Sequence, residues 1–203
     1  MAFFKNNQAA NQQLSQRQVL ENKYASSRHN ILLVVVFTAI NLILLIANSN
    51  TYFLFSASVP YFIADLGMLL GGKYPAELYA GELAGLEILG TGFFVTTLVI
   101  AILIVALYLL SWIFSKKKSG WMIFALVFFI LDTLAMFALV GISADQIIDV
   151  IFHAWVIISL FSGISAYNKL KKLPEEPEEE VEEAVVASPV VNPVDEEPAF
   201  PME

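Results

Sequence analysis

Four long apolar stretches, each flanked by lysine or arginine on the same side, constrain this chain more than any other feature. They run from about Ile31 to Asn48, Leu89 to Ser115, Trp121 to Ile142 and Ile147 to Tyr167. A helix needs roughly 20 apolar residues to cross a hydrocarbon core, and each stretch approaches or exceeds that length. Composition agrees, because 58% of the residues are hydrophobic and only 15% are charged. A soluble domain needs more charge than this to cover its surface. The expected fold is all-α: a four-helix transmembrane bundle (residues 31–173), preceded by a polar segment (1–30) and followed by an acidic tail (174–203).

The basic residues predict the orientation. Lys5, Arg17, Lys23 and Arg28 precede the first span, Lys116 to Lys118 fill the second connection, and Lys169, Lys171 and Lys172 follow the fourth span. Only Lys73 falls in the opposite set of connections. Cytoplasmic loops carry the Lys/Arg excess, so both termini are expected in the cytoplasm of a cell-membrane protein. Trp112 and Trp121 flank the lysine triplet, at the depth where aromatic belts lie. The polar stretch before the first span reads as the lead into a retained signal anchor rather than a cleaved signal peptide.

The first connection, residues 51–87, is ambiguous on hydropathy alone. Thr51 to Gly72 is apolar enough to suggest a fifth span. A fifth crossing would put the lysine triplet outside, and Pro60, Gly71 and Gly72 interrupt the run. The segment therefore reads as an interfacial or re-entrant helix on the outer face, with Tyr52, Phe53, Phe55, Tyr61 and Phe62 suited to that layer. It can be a lid packed on the bundle or a ligand-facing loop. Pro75 starts a helix that is expected to run toward the second span, presenting Glu77, Glu82 and Glu87 to solvent. Those carboxylates read either as a solvated helix start or as a cationic-ligand site.

Polar groups inside the spans are the only candidates for chemistry. Asp132 lies near the centre of the third span, where an acid costs about 3 kcal/mol on insertion scales. It should face the bundle interior and meet a partner, with Asn41 and His153 the two choices. Asp149 lies four residues before His153 and shares its helix face. Asp145 is a reasonable N-cap for the fourth span. Asp149, His153 and Asp132 can form a proton or cation path, or a hydrogen-bonded network that fixes helix register. Gly81 with Gly85, Ser159 with Gly163, and Ser162 with Ala166 have the spacing of close helix contacts.

The absence of cysteine excludes thiol nucleophiles, disulfides and thiolate metal sites, and the two histidines are too few for a His-rich site. No catalytic residue, metal, cofactor or nucleic-acid partner is expected. The tail has repeated proline and glutamate and no lysine or arginine, so it should be extended and solvated. It can act as a spacer or as a docking segment for a membrane or cytoplasmic protein. The remaining partner is the lipid bilayer.

Asp149-Val-Ile-Phe-His153-Ala-Trp155, followed by Gly163, Ala166 and Lys169-Leu-Lys-Lys-Leu-Pro174, resembles a group of uncharacterised bacterial four-span membrane proteins. The first span, from Arg28-His29-Asn30 to Asn41, is similar to the same group. The resemblance covers most of residues 28–174. It implies a four-span integral membrane fold and brings no activity to any residue. The expected role is a non-enzymatic accessory or scaffolding subunit. The alternative is a small ion- or proton-linked transport component using Asp132 and His153.

Overall fold

The computed structural model describes residues 16–141 and 147–173, all of whose regular elements are helices. They are α1 (Gln16–Ile46), α2 (Ser58–Leu70), α3 (Ala76–Ala80), α4 (Thr91–Ser115), α5 (Gly120–Val140) and α6 (Ile147–Leu170). The tail from 174 onward and Asp145 lie outside the described residues.

Helices α1, α4, α5 and α6 are each long and apolar enough to cross a membrane. They close a ring in which α1 touches α6 and α4, α4 touches α5, and α5 touches α6. Their outward faces are apolar: Ile43 is 66% exposed, and Ile158 and Phe161 are each 67% exposed. Contiguous greasy surface of this kind belongs against lipid rather than water. Inside the ring, Ile31, Val34, Met122, Phe129, Val156 and Leu160 are buried together.

One end of the bundle is tied together by α1. Arg28 donates from Nη2 to the Trp112 carbonyl and from Nε to Ser115 Oγ, both at 2.9 Å, while the Tyr24 hydroxyl donates to the Ser115 carbonyl at 2.6 Å. The last carbonyls of a helix have no partner within it, so these side chains supply what α4 lacks. A cation also suits the negative end of the helix dipole. Helix α1 thus begins well before the apolar stretch. Residues 16–30, part of the expected polar N-terminal segment, are helical and dock onto α4 and α6. Asn30 Nδ2 donates to Ser159 Oγ at 2.5 Å, and Ser27 Oγ to the Ser159 carbonyl at 2.8 Å.

At the opposite end α1 stops in a left-handed cap. Asn48 has φ 52°, the Ser49 amide reaches the Leu44 carbonyl, and the Asn48 amide reaches the Leu45 carbonyl. This is the Schellman arrangement with asparagine in the position usually held by glycine. The chain then turns back into the bundle. It descends beside α1, reverses near the Asp132 level of α5, and climbs out as α2. Thirteen residues of α2 span about 20 Å, short of the roughly 30 Å hydrocarbon core. Entry and exit meet where Asn48 Nδ2 donates to the Lys73 carbonyl at 3.4 Å. Both ends of the Thr51–Gly72 segment therefore lie at the same end of the bundle, and the segment forms a hairpin against it.

Helix α2 climbs antiparallel to α4, and glycine makes the approach possible. A Cβ on Gly67 would collide with Thr97 Oγ1, and one on Gly71 would lie 2.6 Å from Phe94 Cβ. Ala64 and Met68 fill the space against Leu42, Leu45 and Ala101. Two expectations fail after α2. The helix at Pro75 lasts only from Ala76 to Ala80 and does not run into α4. Gly85 and Gly90 have φ of 89° and 86°, left-handed values that interrupt any helix, so Gly81 and Gly85 form no helix contact. By contrast, Gly163 in α6 packs directly on Ser27 of α1.

Candidate functional site

The polar interior is built around the buried start of α2. Four backbone amides at a helix N-terminus have no intrahelical acceptor, and inside a membrane no water replaces one. Here all four are accounted for. The Ala57 amide donates to Thr38 Oγ1 of α1 at 2.8 Å. The Ser58 amide donates to Asp132 Oδ2 at 2.9 Å, and the Val59 amide to Asp132 Oδ1 at 2.8 Å. The fourth position is Pro60, which has no N–H to satisfy. Ala57, the N-cap, carries no side-chain acceptor of its own. Asp132 of α5 thus caps the N-terminus of α2 from a different helix.

Asn41 serves the descending limb rather than Asp132. Its Oδ1 accepts the Phe53 amide at 2.8 Å, while its Nδ2 donates to the Phe53 carbonyl at 2.7 Å and to Ser56 Oγ at 2.9 Å. The amide side chain pairs with Phe53 as a neighbouring strand would, allowing non-helical backbone to lie against α1. Phe55 is held at φ 76°, an outlier for an aromatic residue. Its ring meets Phe152 edge-on at 4.3 Å and lies 6.1 Å from the Phe37 ring.

His153 of α6 closes the other side of Asp132. Its ring stacks on Phe129 with centroids 4.9 Å apart and planes 17° from parallel. Nδ1 lies 2.8 Å from the Asp149 carbonyl. A carbonyl can only accept, so Nδ1 carries a hydrogen. Nε2 lies 3.5 Å from Asp132 Oδ2 and makes no hydrogen bond. A proton on either atom makes that contact attractive; with none, two lone pairs face each other. Asp149 reaches His153 through its main chain, while its carboxyl group is only partly buried at the start of α6. Of the four polar residues singled out in the sequence, then, Asp132 and His153 adjoin, Asp149 adjoins His153 by its carbonyl, and Asn41 stands apart on the hairpin.

Sequence reasoning missed Thr38, Tyr108 and Asp65. Thr38 looks like an ordinary helical threonine, and it also returns its own hydroxyl to the Val34 carbonyl at 2.7 Å. Tyr108 is buried among Phe128 and Phe129, and its hydroxyl has no partner. Asp65 accepts a short hydrogen bond from the Tyr74 hydroxyl. Its signal was present: an acid within an otherwise apolar α2.

Among the described residues no cluster of three or more acidic or histidine side chains could hold a metal. What the helices define is a multi-pass integral membrane protein with four candidate spans and a short apolar helix, α2, packed against them. No family model, curated protein or solved structure matches the chain. The resemblance in the first and fourth spans therefore identifies no family, and the class rests on the helices themselves.

Proposed function

We propose that this protein is a non-enzymatic scaffold or accessory subunit of the cell membrane, built to hold a re-entrant hairpin in fixed register. The observation that carries this reading is the engagement of both Asp132 oxygens by the Ser58 and Val59 amides. An intramembrane acid usually marks an ion or proton path. Here the acid has a structural duty that explains its cost. This reading expects both termini in the cytoplasm, and the distribution of basic residues supports it. Lys23, Arg28 and Lys116 to Lys118 gather where α1 meets the end of α4, whereas Lys73 sits at the hairpin end.

A second reading, a proton-linked transport component, is favoured by one observation: His153 Nε2 stands 3.5 Å from Asp132 without a hydrogen bond. Proton and ion flux in proteoliposomes separates the two. The scaffold reading expects no flux above empty liposomes. Robust wild-type flux that disappears in Asp132→Asn, with the fold retained, overturns it. Orientation is testable because the chain has no native thiol. A cysteine at Lys73 should label from outside intact cells and one at Ser188 should not; the reverse pattern overturns the topology.

A further inference from the structure

A second polar region lies apart from Asp132, at the end of the bundle where the hairpin enters and leaves. A cavity of about 540 Å³ opens there between the Asn48–Tyr52 loop, the first half of α2 and the approach to α3. Its volume falls within the roughly 300–1,000 Å³ typical of small-molecule sites. Tyr52, Tyr61, Tyr74 and Glu77 are among its lining residues, and none of the lining residues is basic.

The tyrosines are arranged as walls. The Tyr52 and Tyr61 rings stand 5.0 Å apart at 77°, forming a corner. The Tyr52 hydroxyl is 2.9 Å from Ser56 Oγ, and the Tyr74 hydroxyl donates to Asp65. With those hydroxyls committed to the protein, ring surface is what these two residues offer the cavity. A ring face carries the negative part of the aromatic quadrupole and attracts cations. Burial pushes the Tyr74 phenol well above its usual range, so the ring stays neutral.

The charge at the rim has the same sign. Glu77 is exposed and has no ion-pair partner among the described residues. Lys73, four residues earlier, is engaged elsewhere: its Nζ donates to Thr91 Oγ1 at 2.8 Å and lies 5.8 Å from the centre of the Phe94 ring. Three aromatic walls and one unneutralised carboxylate make a poor site for an anion and a good one for a desolvated cation.

We propose that this cavity binds an organic ammonium group, carried by a small free cation or by a zwitterionic lipid headgroup. The site does not depend on the scaffold reading. The positive nitrogen would sit in the corner of Tyr52 and Tyr61 with Tyr74 beside it, and Glu77 would supply the counter-charge. The full-length protein in phosphatidylglycerol nanodiscs, titrated calorimetrically with choline chloride, provides the test. The neutral isostere 3,3-dimethylbutan-1-ol has the same shape without the charge.

Choline should bind and the isostere should not. Glu77→Gln and Tyr52→Leu should each weaken choline by about tenfold, the scale of one cation–π contact or close counter-ion, while Tyr52→Phe should retain it. Glu77 is at the surface, so its variant should melt like the wild type and read binding alone. In phosphatidylcholine nanodiscs, loss of the choline signal identifies a lipid headgroup as occupant, and an unchanged signal identifies a free cation. No choline binding, equal binding of the isostere, or full affinity in both Glu77→Gln and Tyr52→Leu would overturn the proposal.

Discussion

The Asp132 carboxylate accepts the Ser58 amide at 2.9 Å across 74 residues of chain. This bond joins the middle of α5 to the first residue of a helix that never crosses the bundle. It explains how an acid can persist at a depth where insertion disfavours it. The carboxylate takes the place of the water that a helix N-terminus would otherwise require.

Substitution at Asp132 should follow the count of acceptors. Asparagine keeps one oxygen and turns an NH2 group toward the other amide. Asp132→Asn should therefore leave one buried N–H unsatisfied, at a cost of about 1–3 kcal/mol. Asp132→Leu abandons both the Ser58 and Val59 amides and should cost roughly twice as much. Thermal unfolding in detergent should rank the variants wild type, Asn, Leu. Limited proteolysis between Thr51 and Ala57 should become easier in the same order. An Asn variant as stable as wild type would show that the two amide bonds do not hold the hairpin.

Glycine substitutions probe the close approach of α2 to α4. The Gly67 Cβ position is occupied by Thr97 Oγ1. Gly67→Ala should destabilise the protein by about 1–3 kcal/mol, the usual cost of overpacking. Thr97→Ala removes the colliding hydroxyl and should recover part of that loss when combined with Gly67→Ala. Chemical denaturation of the two single variants and the double variant measures the coupling. Simple additivity would mean that the two residues do not share the contact.

Much of the architecture is legible in residue type, and the hairpin's depth is not. The four spans follow from side-chain transfer energies, which hydropathy reports directly. Hydropathy also marks Thr51–Gly72 as apolar, but cannot say where its backbone amides find acceptors. The pairing of Asp132 with Ser58 and Val59 is invisible because the donors are main-chain groups that every residue but proline has. Pro60 and the sterically bare Ala57 are faint signs of a helix start that needs outside acceptors. Glutamates and alanines after Pro75 favour helix, but Gly81, Gly85 and Gly90 prevail. Asn41 was recognisable as a buried amide, yet its pairing with Phe53 follows from the chain reversal and not from its depth in α1.

Gly163 and Ser27 offer a sharper test of helix packing. A Cβ on Gly163 would lie 2.5 Å from Ser27 Cβ, 2.6 Å from Ser27 Oγ and 2.9 Å from Met122 Cε. Gly163→Ala should thus push α6 away from α1 and lower the melting temperature. Ser27→Ala should not rescue it, because the obstructing Cβ remains. Ser27→Gly should rescue more, although it forfeits the 2.8 Å bond to the Ser159 carbonyl and adds a flexible residue to α1. Equal rescue by alanine and glycine would place the conflict at the hydroxyl instead.

Alkaline pH should loosen the hairpin through Tyr52. Burial pushes its phenol up to about 12 from an ordinary 10.0, against the lowering effect of the Ser56 hydrogen bond. Below pH 10 both folded and unfolded chains hold this proton, so its contribution to stability is fully present and constant. Between pH 10 and 12 the unfolded chain releases the proton while the folded chain keeps it. Stability therefore falls as pH rises through that window, because the unfolded state binds fewer protons. Tyr52→Phe removes the ionisable group and should flatten this part of the stability profile, at the expense of the contact with Ser56. Denaturation midpoints measured for both proteins at intervals from neutral to strongly alkaline pH give the comparison. The Phe variant should lose less stability above pH 10 than the wild type, and parallel profiles would mean that Tyr52 ionises as freely in the fold as in the open chain.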